Sequence, residues 1–286
     1  MPVRLFLSLL ALLVLLPVAP ARAGSANVAA LQVALGAKGL YGGTVDGVSG
    51  SATRTAIRRF QGQARLPIVG VAGPATRRAL GRRGRPRLGS RLMALGASGW
   101  DVAALQFMLG RHGFPSGTVD GGFGLRTRAA VLRFQRFTGL LLTGDAGPQT
   151  LARLRRPVRR PRLHLRLPSP ARVSSRFGPR GVRFHAGVDF AGPLGAPVRA
   201  GAGGRVSWAG PRAGGYGLMV TVHHGGGVRT LYPHLSRILV RRSELVRAGT
   251  VVGAVGSTGR SSGPHLHWEL RVRGSARDPL LAVRHG

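Results

Sequence analysis

The stretch SSGPHLHWEL, residues 261–270, places two histidines one residue apart and a glutamate two residues further on. In a β-strand successive side chains point to opposite faces, so His265, His267 and Glu269 would share one face and the apolar residues between them the other. Two imidazoles and a carboxylate are costly to bury unless polar groups or a metal ion lie beside them. Taken alone, the pattern also fits a half-exposed strand with incidental histidines. A site therefore requires partners from elsewhere in the chain.

Further candidate ligands precede this stretch. Asp189, one of only eight acidic residues, follows His185 by four positions. On a straight strand their Cα atoms would lie ~13 Å apart, so we expect the chain to bend at Gly187, a residue suited to a bend. His234 follows Pro233, which we expect to interrupt strand pairing and display the imidazole at the rim of the sheet. Together these residues favour a metal or proton-transfer site over isolated histidines.

The C-terminal part of the chain has the pattern of a β domain. From Val173 onward, short runs rich in valine, leucine and tyrosine alternate with glycine turns, as in GRVSWAG, GLMVTVHH, TVVGAVG and HLHWELRV. Such runs predict antiparallel strands, and no helical periodicity of convincing length is present. The candidate ligands therefore lie on strands and turns.

The N-terminal part contains an internal repeat. The segment Val28–Leu80 matches Val102–Leu154 without a gap at a constant offset of 74, with roughly half of the positions identical, as a tandem duplication gives. Each copy has apolar residues at helical spacing, a glycine-rich turn containing TVDG, and a second turn whose Gly-Pro places proline at the start of a short helix. We therefore expect two bundles of three helices each.

The two copies resemble the peptidoglycan-binding repeat. The second copy carries its pattern almost throughout, including Leu105-Gln106, Asp120-Gly121, Phe134-Gln135 and Gly147-Pro148, whereas the first copy is looser. The resemblance implies modules that anchor the protein to the cell wall, although such repeats can also be purely structural spacers.

The segment from about Ser174 to Leu281 resembles the lysostaphin-type (LytM-like) zinc peptidoglycan endopeptidases, through SSRFGPRGVRFHAGVDF, GGYG, TLYPHLS and GSTGRSSGPHLHWEL in family order. The resemblance implies one zinc ion per chain, held by His185, Asp189 and His267. It also implies that His234 and His265 act as base and transition-state stabiliser. Glu269 is either a hydrogen-bond partner of a ligand or a structural contact.

The first residues have the pattern of a secretory signal peptide, because Arg4 precedes an apolar run and Ala21-Arg22-Ala23 forms a small-x-small cleavage pattern. The run is shorter than the ~20 residues of a membrane span and Pro17 interrupts it, so we expect cleavage after Ala23 and no transmembrane anchor. The chain has no cysteine, which excludes disulfides, thiolate-ligated zinc and a cysteine nucleophile.

The formal net charge is +35, carried almost entirely by arginine. Such a field attracts polyanions. Because the chain carries an export signal, we expect peptidoglycan and other anionic polymers of the wall rather than nucleic acid. Aromatic residues are few and no RNA-binding motif is present.

We therefore predict a multidomain α + β protein, a monomer, in which two small three-helix peptidoglycan-binding-like domains precede an antiparallel β-sheet zinc peptidase domain. The expected function is a zinc metalloendopeptidase, secreted to the cell wall or periplasm, that hydrolyses peptide cross-links of peptidoglycan. The alternative is a non-catalytic peptidoglycan-binding protein that activates another wall hydrolase. The predicted segments are a signal peptide (1–23), repeat 1 (24–81), a basic linker (82–90), repeat 2 (91–155), a basic Pro-rich linker (156–172) and the peptidase domain (173–286).

Overall fold

The structure is a computed structural model that describes residues 24–158 and 163–283. The predicted signal peptide lies outside the described residues. In the part that is described, no helix is long and apolar enough to cross a membrane. The α-helices of this part are α1 (Ala26–Gly36), α2 (Ser51–Gln63), α3 (Pro74–Ala79), α4 (Trp100–Arg111), α5 (Leu125–Thr138) and α6 (Pro148–Leu154).

Each repeat is a three-helix unit, which confirms the predicted fold class. In α2 the residues at helical spacing, Ala56, Ile57 and Phe60, are buried, while the arginines between them are exposed. The third helix of each repeat begins at a proline, Pro74 in one and Pro148 in the other. Proline suits this first position because the N–H that it lacks would have no partner inside the helix.

Most polar residues that the repeats share hold the fold together. In repeat 1 the Gln32 side chain, almost fully buried, accepts from the Gly47 amide at 2.9 Å and donates to Asp46 Oδ1 at 2.8 Å. In repeat 2 Gln106 makes the equivalent contacts with Gly121 and Asp120, each at 2.9 Å. Because these side chains satisfy buried backbone groups, their similarity between the repeats follows from packing.

The two repeats pack against each other through equivalent helices. Ala30 of α1 shares a core with Ala103 and Ala104 of α4, and Phe107 of α4 packs with Ala29. Ala29 and Ala103 occupy the same position of their repeats, as do Ala30 and Ala104. The small side chains let the two helices approach closely, so the repeats form one helical unit.

The C-terminal domain is built from antiparallel strands, as predicted. Its main sheet has the order β1-β4-β12-β8-β7-β6-β10, with β13 also paired to β12, and two smaller sheets contain β5-β11-β9 and β2-β3. The strands are β1 (Val173–Ser175), β2 (Gly178–Arg180), β3 (Arg183–His185), β4 (Val188–Ala191), β5 (Pro197–Arg199), β6 (Gly204–Arg212), β7 (Gly217–His223), β8 (Val228–Leu235), β9 (Arg237–Ile238), β10 (Leu245–Val246), β11 (Val251–Ala254), β12 (His265–Val272) and β13 (Ser275–Arg277).

The apolar core of this domain lies under β4, β8 and β12 and includes Phe190, Tyr232 and Trp268. A segment predicted as linker also contributes to it. Leu165 is buried in the core, and its amide donates to the Ala282 carbonyl at 2.7 Å. In RLHLRL, residues 162–167, leucine occupies every second position, which is a pattern typical of a strand. The abundance of arginine and proline around it favoured the prediction of a linker instead.

The helical repeats contact the β domain at the turn of the β2–β3 hairpin. The amides of Val45 and Val119, which are equivalent residues of the two repeats, donate to the carbonyls of Gly181 and Val182 at 2.9 and 2.7 Å. Phe184 of the same hairpin packs against Gly110 of α4. Both repeats therefore hold the hairpin that leads into the candidate active site.

Candidate active site

Three of the predicted ligands form one compact cluster. His185 Nε2 lies 3.0 Å from Asp189 Oδ1 and 3.0 Å from His267 Nδ1, and the last two atoms are 2.6 Å apart. All three residues are buried, and they form a group able to hold a metal ion. The pairing of β4 with β12 sets Asp189 directly opposite His267, while His185 ends β3.

In His185 and His267 one ring nitrogen is held by a hydrogen bond to a residue outside the cluster. The other ring nitrogen is therefore available to a metal ion. His185 Nδ1 lies 2.8 Å from the Arg176 carbonyl, which can only accept, so Nδ1 carries the proton and Nε2 has a free lone pair. His267 Nε2 lies 3.1 Å from Glu269 Oε1, so its Nδ1 is the atom directed to the cluster. Two neutral imidazole nitrogens and one carboxylate oxygen are a donor set of catalytic zinc sites, and the residues fit that metal.

Glu269 is part of a buried polar network behind His267. Its other oxygen accepts from Arg271 Nε at 2.7 Å, and the Tyr216 hydroxyl lies 3.4 Å from Oε1. Burial alone would raise the pKa of Glu269, but the charge of Arg271 and the contact with His267 lower it to about 2. Glu269 is therefore a carboxylate near neutral pH, and it orients the His267 ring.

The two acidic neighbours of His267 govern its protonation. Burial disfavours the imidazolium, yet the contacts with Asp189 and Glu269 outweigh it and raise the pKa of His267 to about 9 in the metal-free protein. Burial likewise disfavours ionised Asp189, but its contacts with His185 and His267 hold its pKa well below the ordinary value. The metal-free cluster thus retains a proton that a metal ion would displace.

Arg180 contacts the candidate ligand Asp189 from the hairpin. Its Nη1 lies 3.1 Å from Asp189 Oδ2, whereas Oδ1 faces the two histidines. The carboxylate therefore presents a single oxygen to the cluster. The pattern of residue spacing held no sign of this contact, because β2 and β4 meet only in the folded domain.

The bend between His185 and Asp189 lies at Gly187, as expected. A Cβ atom on Gly187 would lie 2.5 Å from the Trp268 carbonyl oxygen and 2.7 Å from His267 Nε2. Glycine is needed here for close approach rather than for a positive φ angle. The bend brings the side chains of His185 and Asp189, the two candidate ligands of this segment, within 3.0 Å of each other.

The other two predicted histidines border the cluster. The rings of His234 and His265 are 5.3 Å apart, and His265 Nε2 lies 3.8 Å from Asp189 Oδ1. Their Nδ1 atoms lie 2.8 Å from the carbonyls of Thr258 and Gly263, respectively, and therefore carry the protons. In each ring Nε2 is left free to take up a proton. Burial lowers the pKa of His234, outweighing its contact with the Thr258 carbonyl, so that ring is neutral near neutral pH.

Pro233 interrupts the pairing of β8 only locally. The register between β7 and β8 is irregular, and pairing resumes where Leu235 lies opposite Leu218. Within this irregular part of β8, His234 has φ 60°, in the left-handed region, and its amide donates to the Tyr216 carbonyl at 2.9 Å. A non-glycine residue in this region is strained by about 1–3 kcal/mol, and such strain is common at functional sites.

All five residues singled out in the sequence thus lie close together, and Glu269 lies behind His267. Sequence reasoning missed Arg180, Arg271 and Tyr216. Arg271 carried one usable signal, since it lies two residues after Glu269 and therefore on the same face of the strand. Chemically, the site combines a cluster able to hold a metal ion with two imidazoles that have free nitrogens.

Comparison with known proteins agrees with this geometry. Residues 183–279 match Peptidase family M23, and residues 24–80 and 98–154 match the Putative peptidoglycan binding domain. The chain is 49% identical over 115 residues to the DD-carboxypeptidase/endopeptidase Mpg of Neisseria meningitidis serogroup B, covering 38% of this chain and 26% of that protein. It is 45% identical over 120 residues to the peptidoglycan DD-endopeptidase ShyA of Vibrio cholerae, covering 39% and 27%.

Among solved structures, lysostaphin from Staphylococcus simulans is 35% identical, with 38% of this chain and 48% of that chain covered and a TM-score of 0.37. The chain spans about a quarter of the length of the curated relatives named above. The site and the matched residues define a metallopeptidase domain. Residues 183–279 form a domain of the peptidase family M23 type by this match, and two repeats that match the peptidoglycan-binding model precede it.

Proposed function

We propose that this protein is a zinc metalloendopeptidase that hydrolyses peptide cross-links of bacterial peptidoglycan. The observation that carries the proposal is the convergence of His185, Asp189 and His267, with their ligating atoms within 4.8 Å of one another. The relatives described above support it, since one is named a peptidoglycan DD-endopeptidase and the other a DD-carboxypeptidase/endopeptidase.

The proposed roles follow from the free atoms of each side chain. His185 Nε2, Asp189 Oδ1 and His267 Nδ1 would hold one zinc ion. Zinc there would polarise a peptide carbonyl and lower the pKa of a water molecule. His234 and His265 border the same space with unprotonated Nε2 atoms, so each can accept a proton from the attacking water. Once protonated, such an imidazole becomes a donor to the developing oxyanion or to the leaving amine.

We further propose that the protein acts in the cell wall or periplasm after removal of residues 1–23. The repeats would hold it on peptidoglycan, and the large positive charge would add attraction to anionic wall polymers. The alternative of a non-catalytic activator would be favoured by the loss of a ligand or of a proton-transfer histidine. All five residues are present and converge, so we favour the enzyme.

The test measures zinc content and the release of peptides from purified peptidoglycan by the chain from residue 24. His185→Ala should lose zinc and activity, while His265→Ala should retain zinc and lose activity. His223→Ala is the matched control, because this exposed histidine ends β7 outside the cluster, and it should change neither. Mass spectrometry of the products should reveal new amino and carboxyl termini within the cross-links. A wild-type protein that binds no zinc, or releases no peptides while adhering to the wall, would contradict the proposal.

A further inference from the structure

The two repeats differ in one region of their surface, where the loop after the first helix meets the second helix. In repeat 1 this region is an open groove of about 380 Å³, lined by residues 40–43 and by residues of α2 that include Ala52, Thr55 and Arg59. The groove is exposed on the side of the repeat unit formed by α2. We call it the α2 groove.

In repeat 2 two of the repeat's own arginines lie across the equivalent region. Arg133, the counterpart of Arg59, donates through Nη2 to the Pro115 carbonyl at 3.0 Å. Arg126, the counterpart of Ala52, lies over Gly117, where a Cβ would approach its Cδ to 3.4 Å. Burial and the charge of nearby Arg271 lower the pKa of Arg133. This region of repeat 2 therefore lies near the peptidase domain, with the two arginines across it.

The α2 groove has a rigid aromatic wall. The Tyr41 hydroxyl donates to the Thr44 carbonyl at 2.7 Å and accepts from Gln32 Nε2 at 3.0 Å, which fixes the ring. Gly42 and Gly43 beside it are exposed and leave main-chain groups accessible. An aromatic ring held in one orientation offers contact area at little cost in conformational entropy.

The charge of the groove is positive. Arg59 is exposed and makes no salt bridge with any residue in the ranges 24–158 and 163–283. The single acid of repeat 1, Asp46, is engaged by Gln32 and by the Val48 amide. Hydroxyl groups of Ser51 and Thr55 complete the lining. A fixed ring, hydroxyls, main-chain amides and a free guanidinium suit a glycopeptide that carries a carboxylate.

We infer that the α2 groove of repeat 1 is the peptidoglycan-binding site of this protein, and that repeat 2 serves as the scaffold between it and the peptidase domain. The inference rests on the proposed function in so far as peptidoglycan is the ligand. Its occupant is a strand of peptidoglycan whose peptide has a free carboxylate. The two copies thus share one fold, while the groove is open in repeat 1 and arginines lie across the equivalent region of repeat 2.

The decisive experiment introduces into repeat 1 an arginine that repeat 2 carries at the equivalent position. Ala52→Arg introduces the arginine found at the equivalent position 126, and Gln63→Arg adds the same charge at an exposed site of α2 outside the groove. Retention of the full chain on insoluble peptidoglycan is measured for both. If the groove binds the wall, Ala52→Arg lowers retention about tenfold or more while Gln63→Arg leaves it unchanged or raises it, because general charge attraction acts in the opposite direction.

A second pair of variants removes a positive charge instead of adding one. Arg59→Ser should weaken retention severalfold, whereas Arg58→Ser, one residue away but outside the groove lining, should not. Thermal unfolding of each variant reports whether the repeat still folds. Equal effects of both arginine removals, or stronger retention by Ala52→Arg, would overturn the inference. Hydrolysis of soluble cross-linked peptides is measured in parallel and should be unchanged in all four variants. Loss of hydrolysis in the wild type would contradict the proposed function instead.

Discussion

Replacing Glu269 by glutamine would remove one of the two negative charges beside His267 while leaving an oxygen at the acceptor position. Glu269 Oε1 lies 3.1 Å from His267 Nε2, and the pair is buried. Because the carboxylate stabilises the imidazolium, the Glu269→Gln variant should hold His267 in its neutral form over a wider pH range. The variant therefore tests whether this glutamate controls the protonation of a metal ligand.

The expected change in the number of protons released on zinc binding follows from the pKa of about 9 for His267 in the metal-free protein. At pH 8 such a group is about 90% protonated, so zinc binding must release about 0.9 proton from it. Loss of one neighbouring charge lowers the pKa by about 1–3 units, and a fall of two units leaves about 0.1 proton to release. The difference, about 0.8 proton per zinc, is large enough to measure.

Isothermal titration of zinc at pH 8, in buffers of different ionisation enthalpy, counts the protons released. The control is Arg271→Gln, which breaks the same ion pair but keeps the carboxylate, whose contact with Arg271 Nε is 2.7 Å. The control should release at least as many protons as the wild type, although both variants lose a few kcal/mol of stability by breaking a buried pair. Protons released by other ligands are common to all three proteins. Equal proton release by Glu269→Gln and the wild type would refute the reasoning.

Further predictions concern the cluster and the repeats. Gly187→Ala should abolish zinc binding, measured by metal content, because its Cβ would collide with His267 at 2.7 Å. Arg180→Met should weaken zinc binding about two- to fivefold, since the pair is partly exposed, whereas the neighbouring Arg183→Met should not; equal affinities of the two variants would contradict this role. Gln135→Leu leaves buried backbone groups of a turn without partners, so urea unfolding should show a loss of about 1–3 kcal/mol for each. In the metal-free protein, the stabilisation contributed by protonated His267 should be complete below pH 6.5 and lost as the pH rises through about 9; unfolding measured with a chelator at several pH values checks this direction.

Much of the fold could be predicted because local patterns repeat. The three helices of each repeat follow from apolar spacing and from prolines at helix starts such as Pro74 and Pro148, and the antiparallel sheet follows from short runs between glycine turns. The segment around Leu165 was predicted as linker and instead packs in the core of the peptidase domain. Its arginines dominate the composition, while the leucine that packs in the core, Leu165, is a single position of the alternating pattern.

The sequence by itself determined which residues can carry the chemistry: His185 and Asp189 on either side of a glycine bend, and His267 two residues after His265. Tertiary structure alone decided which nitrogen is free in His185 and in His234, because the carbonyls of Arg176 and Thr258, from other segments, hold the second nitrogen of each ring. It also decided that Arg180 reaches Asp189 and that residues 40–43 and α2 of repeat 1 border an open groove. Periodicity along one element depends on local backbone geometry, whereas these contacts depend on how separate elements pack, and no spacing within a single element encodes that.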